Sequence, residues 1–186
     1  MSSYSRCPVC ERGSLNLSST EVELPYYGKA YIITLICEIC AFRITDVVLS
    51  KVNPPTSYYA KIDSVEDLKI KVVKSSTGII RIPEMGVKME PGPVSQGFIT
   101  NIEGILQRVE DVTIMVKGWL TDERKLQRCN QLLEKISKAV NGEFEFTFII
   151  EDPLGNSMLV GEPSQIIKKR KLSERQINKM LSKRKS

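Results

Sequence analysis

Four cysteines are the residues of this sequence whose type and spacing point most directly to a chemistry. Cys7 and Cys10 form one Cys-x-x-Cys pair, Cys37 and Cys40 form a second, and 26 residues separate the two pairs. Zn(II) prefers four soft ligands in a tetrahedron, and two short Cys-x-x-Cys turns supply them with little strain. Because four thiolates leave no coordination position for water or substrate, the pattern predicts one structural zinc ion rather than a catalytic one.

Other uses of paired cysteines fit the sequence less well. A thioredoxin-like redox pair needs its cysteines at the start of a helix in a βαβ unit, whereas both pairs here adjoin strand-forming segments. Disulfides fit poorly with a chain that opens without a secretion signal. A rubredoxin-like iron site uses similar spacing, so spacing alone does not distinguish zinc from iron. The fifth cysteine, Cys129, falls on an apolar helical stripe, and we interpret it as a core residue rather than a reactive thiol.

The composition contains no histidine, which removes several function classes. Ser-His-Asp and Cys-His triads, histidine acid–base chemistry and histidine metal sites are all excluded. Because no carboxylate pair lies in a recognisable catalytic motif, we expect a protein that is not an enzyme and has no small-molecule substrate. The apolar runs are too short for a membrane span, and residues 2–10 lack the apolar segment of a signal peptide. We therefore expect no membrane association and a cytoplasmic location.

A β-hairpin is the element that must bring the two cysteine pairs together. Strand-forming residues fill the segments 14–24 and 29–36, on either side of a Pro-Tyr-Tyr-Gly turn at residues 25–28. Such a hairpin leaves the first pair and returns beside it, so the four thiolates can converge. A third strand is predicted at residues 42–49. Residues 53–57 then break regular structure, which places a zinc ribbon at residues 1–52 and a module boundary directly after it.

The second module, residues 58–163, is predicted to be β-rich with a helical hairpin inserted at residues 100–141. Alternating apolar and polar residues predict strands at 68–73, 78–82 and 144–150. Thr100, with Glu103 three residues later, forms a capping-box signature for the first helix. The second helix carries an apolar stripe and ends at Asn141-Gly142. The stripe comprises Leu126, Cys129, Leu133, Ile136 and Val140.

Charge is divided unevenly along the chain. Residues 164–186 contain nine Lys or Arg and one acid, a charge of +8, whereas residues 1–163 contain 18 basic and 21 acidic residues, a charge of −3. These cations can attract the phosphates of RNA or of a ribosome, which gives an alternative function; the other interpretation is a solvated, partly disordered tail. The candidate cations are Lys168, Lys169, Arg170, Lys171, Lys183, Arg184 and Lys185. Because this segment has few apolar residues to join the core, we expect deletion of residues 168–186 to leave thermal stability nearly unchanged.

The predicted fold is therefore α+β. It consists of an N-terminal four-cysteine zinc ribbon, a β-rich domain with an inserted helical hairpin, and a basic C-terminal tail at residues 164–186. Strands followed by two helices and further strands are typical of this class.

Three segments, together with the ribbon, carry a resemblance to a known family. They read SSTGIIRIPEMG at residues 75–86, QGFITNIEGIL at residues 96–106 and EDPLGNS at residues 151–157. With this order and spacing, over residues 5–162, the chain resembles the ZPR zinc-finger family, in which a four-cysteine ribbon is joined to a β-rich domain bearing a helical hairpin. Eukaryotic members repeat this unit twice, so the chain is similar to the single-unit archaeal form.

The resemblance implies a non-enzymatic protein-interaction factor. Its expected partner is translation elongation factor 1-alpha in the GDP-bound or newly made state, with this chain acting as a folding or assembly factor. Two positions depart from the family pattern: Ala41 stands where relatives often place Gly, and Asn101 replaces a common Thr. Neither change touches a cysteine, but an activity that needs both halves of a eukaryotic member does not carry over.

Five residues in two segments are candidates for contacting that partner: Arg81, Glu84, Asp152, Asn156 and Ser157. Arg81 and Glu84 flank a proline that stops a strand, where they either offer charged hydrogen bonds or are solvated. Residues 152–157 form either a recognition loop or a tight turn in which Gly155 supplies a positive φ. We expect reversal of the Arg81 charge to weaken the complex while leaving the melting temperature intact.

Overall fold

The N-terminal part of the chain forms an antiparallel sheet of four strands. The computed structural model describes residues 4–25, 28–51, 53–92 and 94–182. The strands follow one another in the order β1 (Tyr4–Arg6), β2 (Ser14–Leu24), β3 (Gly28–Cys37) and β4 (Arg43–Leu49). The register pairs Leu15 with Cys37 and Leu24 with Gly28, which confirms the predicted hairpin. The predicted turn includes Tyr26 and Tyr27, which lie outside the described residues.

Two further antiparallel sheets form the β-rich part. The five-stranded sheet has the order β12-β5-β10-β7-β8 and the three-stranded sheet has the order β11-β6-β9. Their strands are β5 (Thr56–Ile62), β6 (Lys71–Lys74), β7 (Ile79–Ile82), β8 (Val87–Met89), β9 (Phe98–Asn101), β10 (Phe146–Asp152), β11 (Met158–Val160) and β12 (Ile167–Lys171). Short 3-10 turns at Glu66–Lys69 and Pro83–Met85 precede β6 and β8. The strand predicted at residues 68–73 therefore starts later, because Leu68 belongs to a 3-10 turn.

One hydrophobic core connects the β-rich part with one end of the ribbon. The alternation of β10 places Phe146, Phe148 and Ile150 on one face, where all three are buried. Four ribbon residues are buried in the same cluster: Leu24, Ala30, Val47 and Leu49. The boundary at residues 53–57 thus separates two segments of the chain that share a core.

The inserted helical hairpin consists of α1 (Ile102–Lys117) and α2 (Glu123–Val140). Asn101 caps α1, because its side-chain oxygen accepts a hydrogen bond from the Gly104 backbone N–H at 2.8 Å. The predicted cap at Thr100 is thus one residue too early. The predicted end of α2 is confirmed, since Asn141 is its C-cap and Gly142 has a φ of +76°. None of the helices in the described part of the chain is both long and apolar enough to cross a membrane.

The apolar faces of the two helices are buried at one end only. On α2, Ile136 is buried, whereas Leu126, Cys129 and Leu133 are half-buried and Val140 is 36% exposed. On α1, Ile102, Ile105 and Leu106 are buried at the N-terminal end, and the side chains of the last turns are mostly exposed. The hairpin therefore packs on the core through its base.

The C-terminal segment joins the fold instead of lying outside it. Strand β12 pairs with β5 along five residues, from Ile167 opposite Ala60 to Lys171 opposite Thr56. Leu172 follows as a buried residue, its backbone N–H donating to the Pro55 carbonyl at 3.0 Å. A last helix, α3 (Glu174–Ser182), ends the described chain.

The expectation that deletion of this segment leaves stability unchanged is therefore wrong. Five consecutive pairings to β5, together with burial of Leu172, make residues 167–172 part of the five-stranded sheet. The low apolar content of the segment did not indicate this role, because the segment is anchored by backbone hydrogen bonds and a single buried leucine. The predicted cations Lys183, Arg184 and Lys185 lie outside the described residues.

Candidate metal centre and partner-facing residues

The four predicted ligands converge at one end of the ribbon sheet. The sulfur atoms of Cys7, Cys10, Cys37 and Cys40 all lie within 4.8 Å of one another. The Cys7 and Cys40 sulfurs are 3.6 Å apart, and so are the Cys10 and Cys37 sulfurs. Cys7 and Cys37 are buried, Cys10 is half-buried and Cys40 is exposed. The long hairpin thus brings together thiols from distant parts of the sequence.

Two nearly identical turns present these thiols. The Cys7 carbonyl accepts from the Glu11 backbone N–H at 2.9 Å, and the Cys37 carbonyl accepts from the Ala41 N–H at 3.0 Å. Glu11 and Ala41 have φ values of +55° and +57° and are the only non-glycine residues in the described chain with positive φ. A residue with a Cβ is strained in this conformation, which favours glycine there. Ala41 adopts the conformation despite its methyl group.

The distances among the sulfurs fit a tetrahedral zinc site. A Zn–S bond of about 2.3 Å in a tetrahedron requires sulfurs about 3.8 Å apart, close to the 3.6 Å of two pairs. A zinc ion in this position would link the turn between β1 and β2 to the end of β3 and the turn that follows it. All four coordination positions would be filled by sulfur, so the ion would hold the ends of the sheet together without activating water.

The protein surrounds this cluster closely. A Cβ added to Gly13 would lie 2.6 Å from the Cys37 sulfur, so a larger residue there would displace a ligand. The Gly13 carbonyl also accepts from the Cys7 backbone N–H at 2.8 Å. Leu15 is buried beside the thiols in one hydrophobic cluster, and Leu35 and Phe42 pack against this cluster. This hydrophobic cluster is small, so a bound metal ion would add cross-links that side-chain packing alone does not provide at this end of the ribbon.

Without a bound metal ion, the thiols of Cys10 and Cys40 have very different pKa values. Backbone hydrogen bonds from Arg12 and Gly13 lower the pKa of the Cys10 thiol to about 6. A backbone hydrogen bond from Phe42 works to lower the pKa of Cys40, but burial and the neighbouring thiols raise it to about 12. Because a bound metal replaces these protons, its affinity falls as pH decreases.

Arg81 and Glu84 both make contacts within the chain. The Nη2 atom of Arg81 lies 2.6 Å from Oε2 of Glu151, whose side chain is 6% exposed, while the Arg81 side chain is 43% exposed. The carboxylate of Glu84 accepts from the backbone N–H of Thr147 at 3.0 Å and from the Thr147 hydroxyl at 2.8 Å. Arg81 lies within β7, so reversing its charge would leave Glu151 beside a second carboxylate. The expectation that this change spares the melting temperature needs correction for that reason.

Asp152 is the centre of a buried network of hydroxyl groups. Its carboxylate accepts from the hydroxyls of Ser75 at 2.7 Å, Thr77 at 2.5 Å and Ser157 at 2.6 Å, and from the Leu154 backbone N–H at 2.8 Å. Asp152 and Ser157 are 0% and 1% exposed. These two residues therefore hold the turn in place and do not reach a partner directly.

The turn itself has the conformation that its sequence indicates. Gly155 has a φ of +74°, and its backbone N–H donates to the Asp152 carbonyl at 3.3 Å. Asn156 is half-buried, and Leu154, at 54% exposed, is the residue of this turn that reaches furthest into solvent. Leu154 and Asn156 are therefore the residues of this turn that are accessible to a partner.

The basic residues of β12 lie on an ordered strand at the edge of a sheet. Lys168, Lys169, Arg170 and Lys171 are all exposed. The Lys169 ammonium lies 5.4 Å from the centre of the Tyr58 ring, and the Arg170 guanidinium lies 5.7 Å from that of Tyr59. Successive side chains of a strand point to opposite faces, so the cations are divided between the two sides of the edge.

Asp46 joins the ribbon to the β-rich part through a contact that the sequence did not predict. Its Oδ1 accepts from the Ser76 backbone N–H and its Oδ2 from the Ser76 hydroxyl, both at 2.6 Å. Gly97 packs against the same residue, where an added Cβ would lie 2.5 Å from Oδ1. The only sequence signal was that Ser76 and Gly97 fall within the segments that carry the family resemblance. We call this contact the Asp46 clasp.

Comparisons with known proteins agree with the metal cluster and the fold. The family model described as the ZPR1 jelly-roll domain matches residues 66–184. An uncharacterized ZPR1-like protein of Methanocaldococcus jannaschii is 39% identical over 94% of this chain and 87% of its own length. A similar protein of Pyrococcus horikoshii is 36% identical over 94% of this chain and 78% of its own length. The match to residues 66–184 includes β12 and α3, in agreement with their place in the fold.

More distant relatives are longer proteins. The zinc finger chaperone zpr1 of Schizosaccharomyces pombe is 29% identical over 84% of this chain. The human zinc finger protein ZPR1 is 25% identical over 82% of this chain. The chain spans about a third of the length of each of them, 35% and 34%. The names of these relatives agree with a zinc-binding role for the four-cysteine cluster.

Proposed function

We infer the function from the family to which this chain belongs, the ZPR1 zinc-finger family, and propose a zinc-stabilised, non-enzymatic factor that binds translation elongation factor 1-alpha. In this role the chain assists the folding or assembly of the factor in its GDP-bound or newly made form. The elongation factor enters through the family resemblance described above. The observation that supports the proposal most directly is the similarity, across most of this chain, to a relative named a zinc finger chaperone.

The chemistry of the site is consistent with a binding protein. The sulfur cluster offers four ligands and would leave a bound zinc ion without an open position for substrate. The buried hydroxyl network around Asp152 satisfies its members internally. The residues proposed for direct contact are Arg81, Glu84 and Asn156, together with Leu154.

Isothermal titration of the zinc-loaded protein against elongation factor 1-alpha tests the proposal. The factor is supplied in three forms: bound to GDP, bound to GTP, and refolding from denaturant. Saturable binding to at least one form is the expected result, with tighter binding to the GDP-bound or refolding form. Undetectable binding to all three forms would contradict the proposal.

Binding to RNA or to the ribosome is the second candidate function, and β12 favours it. Its four exposed cations are carried on an ordered strand, so the backbone positions from which they project are fixed before any phosphate arrives. Phosphate contacts of this kind release counterions and make affinity strongly salt-dependent.

Fluorescence anisotropy with labelled single-stranded RNA at two salt concentrations tests this candidate. The double variant Lys168→Glu, Arg170→Glu should weaken binding at low salt and reduce the salt slope. The matched control is Arg124→Glu, Lys125→Glu at the exposed start of α2, which changes the net charge equally. Equal loss in both variants would point to net charge rather than to β12 and would contradict the assignment.

A further inference from the structure

The apolar face of α1 extends beyond the core that covers its first half. Val112, Met115, Val116 and Trp119 continue the face at spacings of three and four residues, with Trp119 just past the end of the helix. Their exposed fractions are 54%, 49%, 36% and 74%. We call these four residues the hydrophobic ridge. Their spacing places Val112, Met115 and Val116 on one side of α1, followed by Trp119, unlike isolated apolar residues, which are ordinary on protein surfaces.

A groove lies beside the ridge, between α1, α2 and the 3-10 turn that precedes β8. Its volume is about 410 Å³, and Met85, Val112, Val116 and Leu132 provide apolar walls. The charged residues in its lining, within the described chain, are Arg128 and Lys135. Both are cations, so the groove combines apolar walls with positive charge.

One of these cations is held in position by the protein. The Lys135 ammonium donates a hydrogen bond to the Glu84 carbonyl at 2.7 Å and lies 5.8 Å from the centre of the Phe144 ring. Its charge is therefore held in the lining of the groove when the groove is empty. A partner that places a carboxylate there need not order a flexible lysine first.

We propose that the ridge and groove form a docking surface for an amphipathic helix whose polar face is acidic. The inference rests on the proposed function, because it names the chemistry by which the chain holds a protein partner. A helix laid into a groove buries one apolar face and keeps its polar face at the rim, where Arg128 and Lys135 select negative charge. From Val112 to Trp119 the ridge extends about 10 Å, which matches two turns of a partner helix.

A designed peptide tests this surface without the elongation factor. The probe is a fluorescein-labelled amphipathic helix of about 18 residues, or five turns, with Leu on one face and Glu on the other. The control peptide keeps the Leu face and replaces each Glu by Lys. Fluorescence anisotropy of each peptide, titrated with the zinc-loaded intact chain, should show binding of the acidic helix at least tenfold tighter than that of the basic one.

The chain carries its own reporter and a matched pair of variants. Trp119 is the only tryptophan in the sequence, so burial of the ridge should shift the intrinsic emission to shorter wavelength. Val112→Asp should weaken binding of the acidic helix at least tenfold. Ile114→Asp is the control, because Ile114 is 55% exposed, almost equal to Val112, but lies on the opposite side of α1. Arg128→Glu should weaken binding of the acidic helix and strengthen that of the basic one.

Three results would overturn the inference. Equal affinity for the acidic and basic helices would mean that the surface does not select charge. Equal weakening by Val112→Asp and Ile114→Asp would place the binding site elsewhere. A Trp119 emission that shifts with protein concentration in the absence of peptide, together with a dimer in sedimentation, would show that a second copy covers the ridge. The peptide result also separates failure of this surface from failure of elongation-factor binding, which is measured independently.

Discussion

The two ends of the ribbon sheet are stabilised in different ways. At one end, four thiols and a small cluster around Leu15 hold the strands. At the other end, Leu24, Ala30, Val47 and Leu49 are buried in the main core. The difference predicts that this hairpin has a metal-dependent end and a metal-independent end. Loss of the metal is therefore expected to release part of the sheet and not all of it.

The largest effect is expected at the metal end. Cys37→Ser removes one ligand, and structural zinc sites in small modules contribute about 10–16 kcal/mol of apparent binding free energy at pH 7. We expect loss of the metal ion and faster hydrogen exchange near both cysteine pairs, while β5 and β10 remain protected. Elemental analysis and hydrogen–deuterium exchange by mass spectrometry measure the two effects.

Cys129→Ser is the control for this prediction, because Cys129 lies on α2 away from the cluster. It should retain one zinc ion per chain and normal exchange in the ribbon. Iron–thiolate absorption in the native protein would contradict the zinc assignment. Loss of protection around Leu24, Ala30, Val47 and Leu49 in Cys37→Ser would contradict the division of the ribbon into two ends.

A cavity at the opposite end of the ribbon sheet should lower the stability of the protein without changing its metal content. Leu24→Ala removes a side chain that is 2% exposed, and such truncations cost about 2–5 kcal/mol. We expect a lower free energy of unfolding in denaturant titrations and an unchanged zinc content. Leu17→Ala on the same strand is the control, because Leu17 is 46% exposed. A similar loss in both variants would show that burial in the core is not what distinguishes this end.

A smaller effect on stability is expected where the C-terminal segment joins the five-stranded sheet. Leu172 is 7% exposed, and Leu172→Ala should lower the free energy of unfolding by about 2 kcal/mol. Ile166→Ala, at a position that is 75% exposed, should change it by less than about 0.5 kcal/mol. Thermal and denaturant unfolding measure both variants. An unchanged free energy of unfolding in Leu172→Ala would contradict this prediction. It would support the interpretation of residues 164–186 as a tail that does not stabilise the fold.

The smallest effect concerns Glu84 and depends on pH. Burial acts to raise the pKa of Glu84, but hydrogen bonds from Thr147 and from its own backbone hold it below its ordinary value. A lowered pKa in the folded state means that the ionised carboxylate stabilises the fold above the pKa of the unfolded chain, about 4.3, and that this contribution is lost as pH falls through the folded value.

Glu84→Gln should therefore reduce stability at pH 7 by less than about 1 kcal/mol, since the group is largely exposed. The difference from the native chain should shrink as pH falls below about 4.3 and disappear once the pH is below the pKa of Glu84 in the folded state. Denaturant unfolding at pH 7 and at a series of acidic pH values measures it. A difference that persists at low pH would show that the amide disturbs packing rather than removing charge.

How well the sequence predicted the structure depended on how local each feature is. The cysteine pairs, the β2–β3 hairpin and the end of α2 at Asn141-Gly142 depend on neighbouring residues and were predictable. The Asp46–Ser76 contact joins residues 30 positions apart, and the pairing of β12 with β5 is more distant still. Neither leaves a periodic pattern in the sequence.

The charged candidates show the same limit. Arg81 and Asp152 were visible as charged residues in turns or strand ends, but their partners Glu151 and Ser75 could not be chosen without the fold. For the same reason the exposure of the apolar residues in the second half of α1 became evident only when the extent of the core was known. Sequence patterns indicate which residues are apolar but not where the covering surface ends.

The Asp46 clasp has a consequence for avidity. By fixing strand β4 against Ser76, it acts together with the shared core to hold the metal end of the ribbon and the helical hairpin at a set separation within one chain. A partner that touches both surfaces meets the second at a high effective concentration once the first is bound, and the gain depends on geometry as well as on the strength of either contact. Loosening the clasp would lower affinity for such a two-point partner and leave the affinity of each surface for a one-point ligand unchanged.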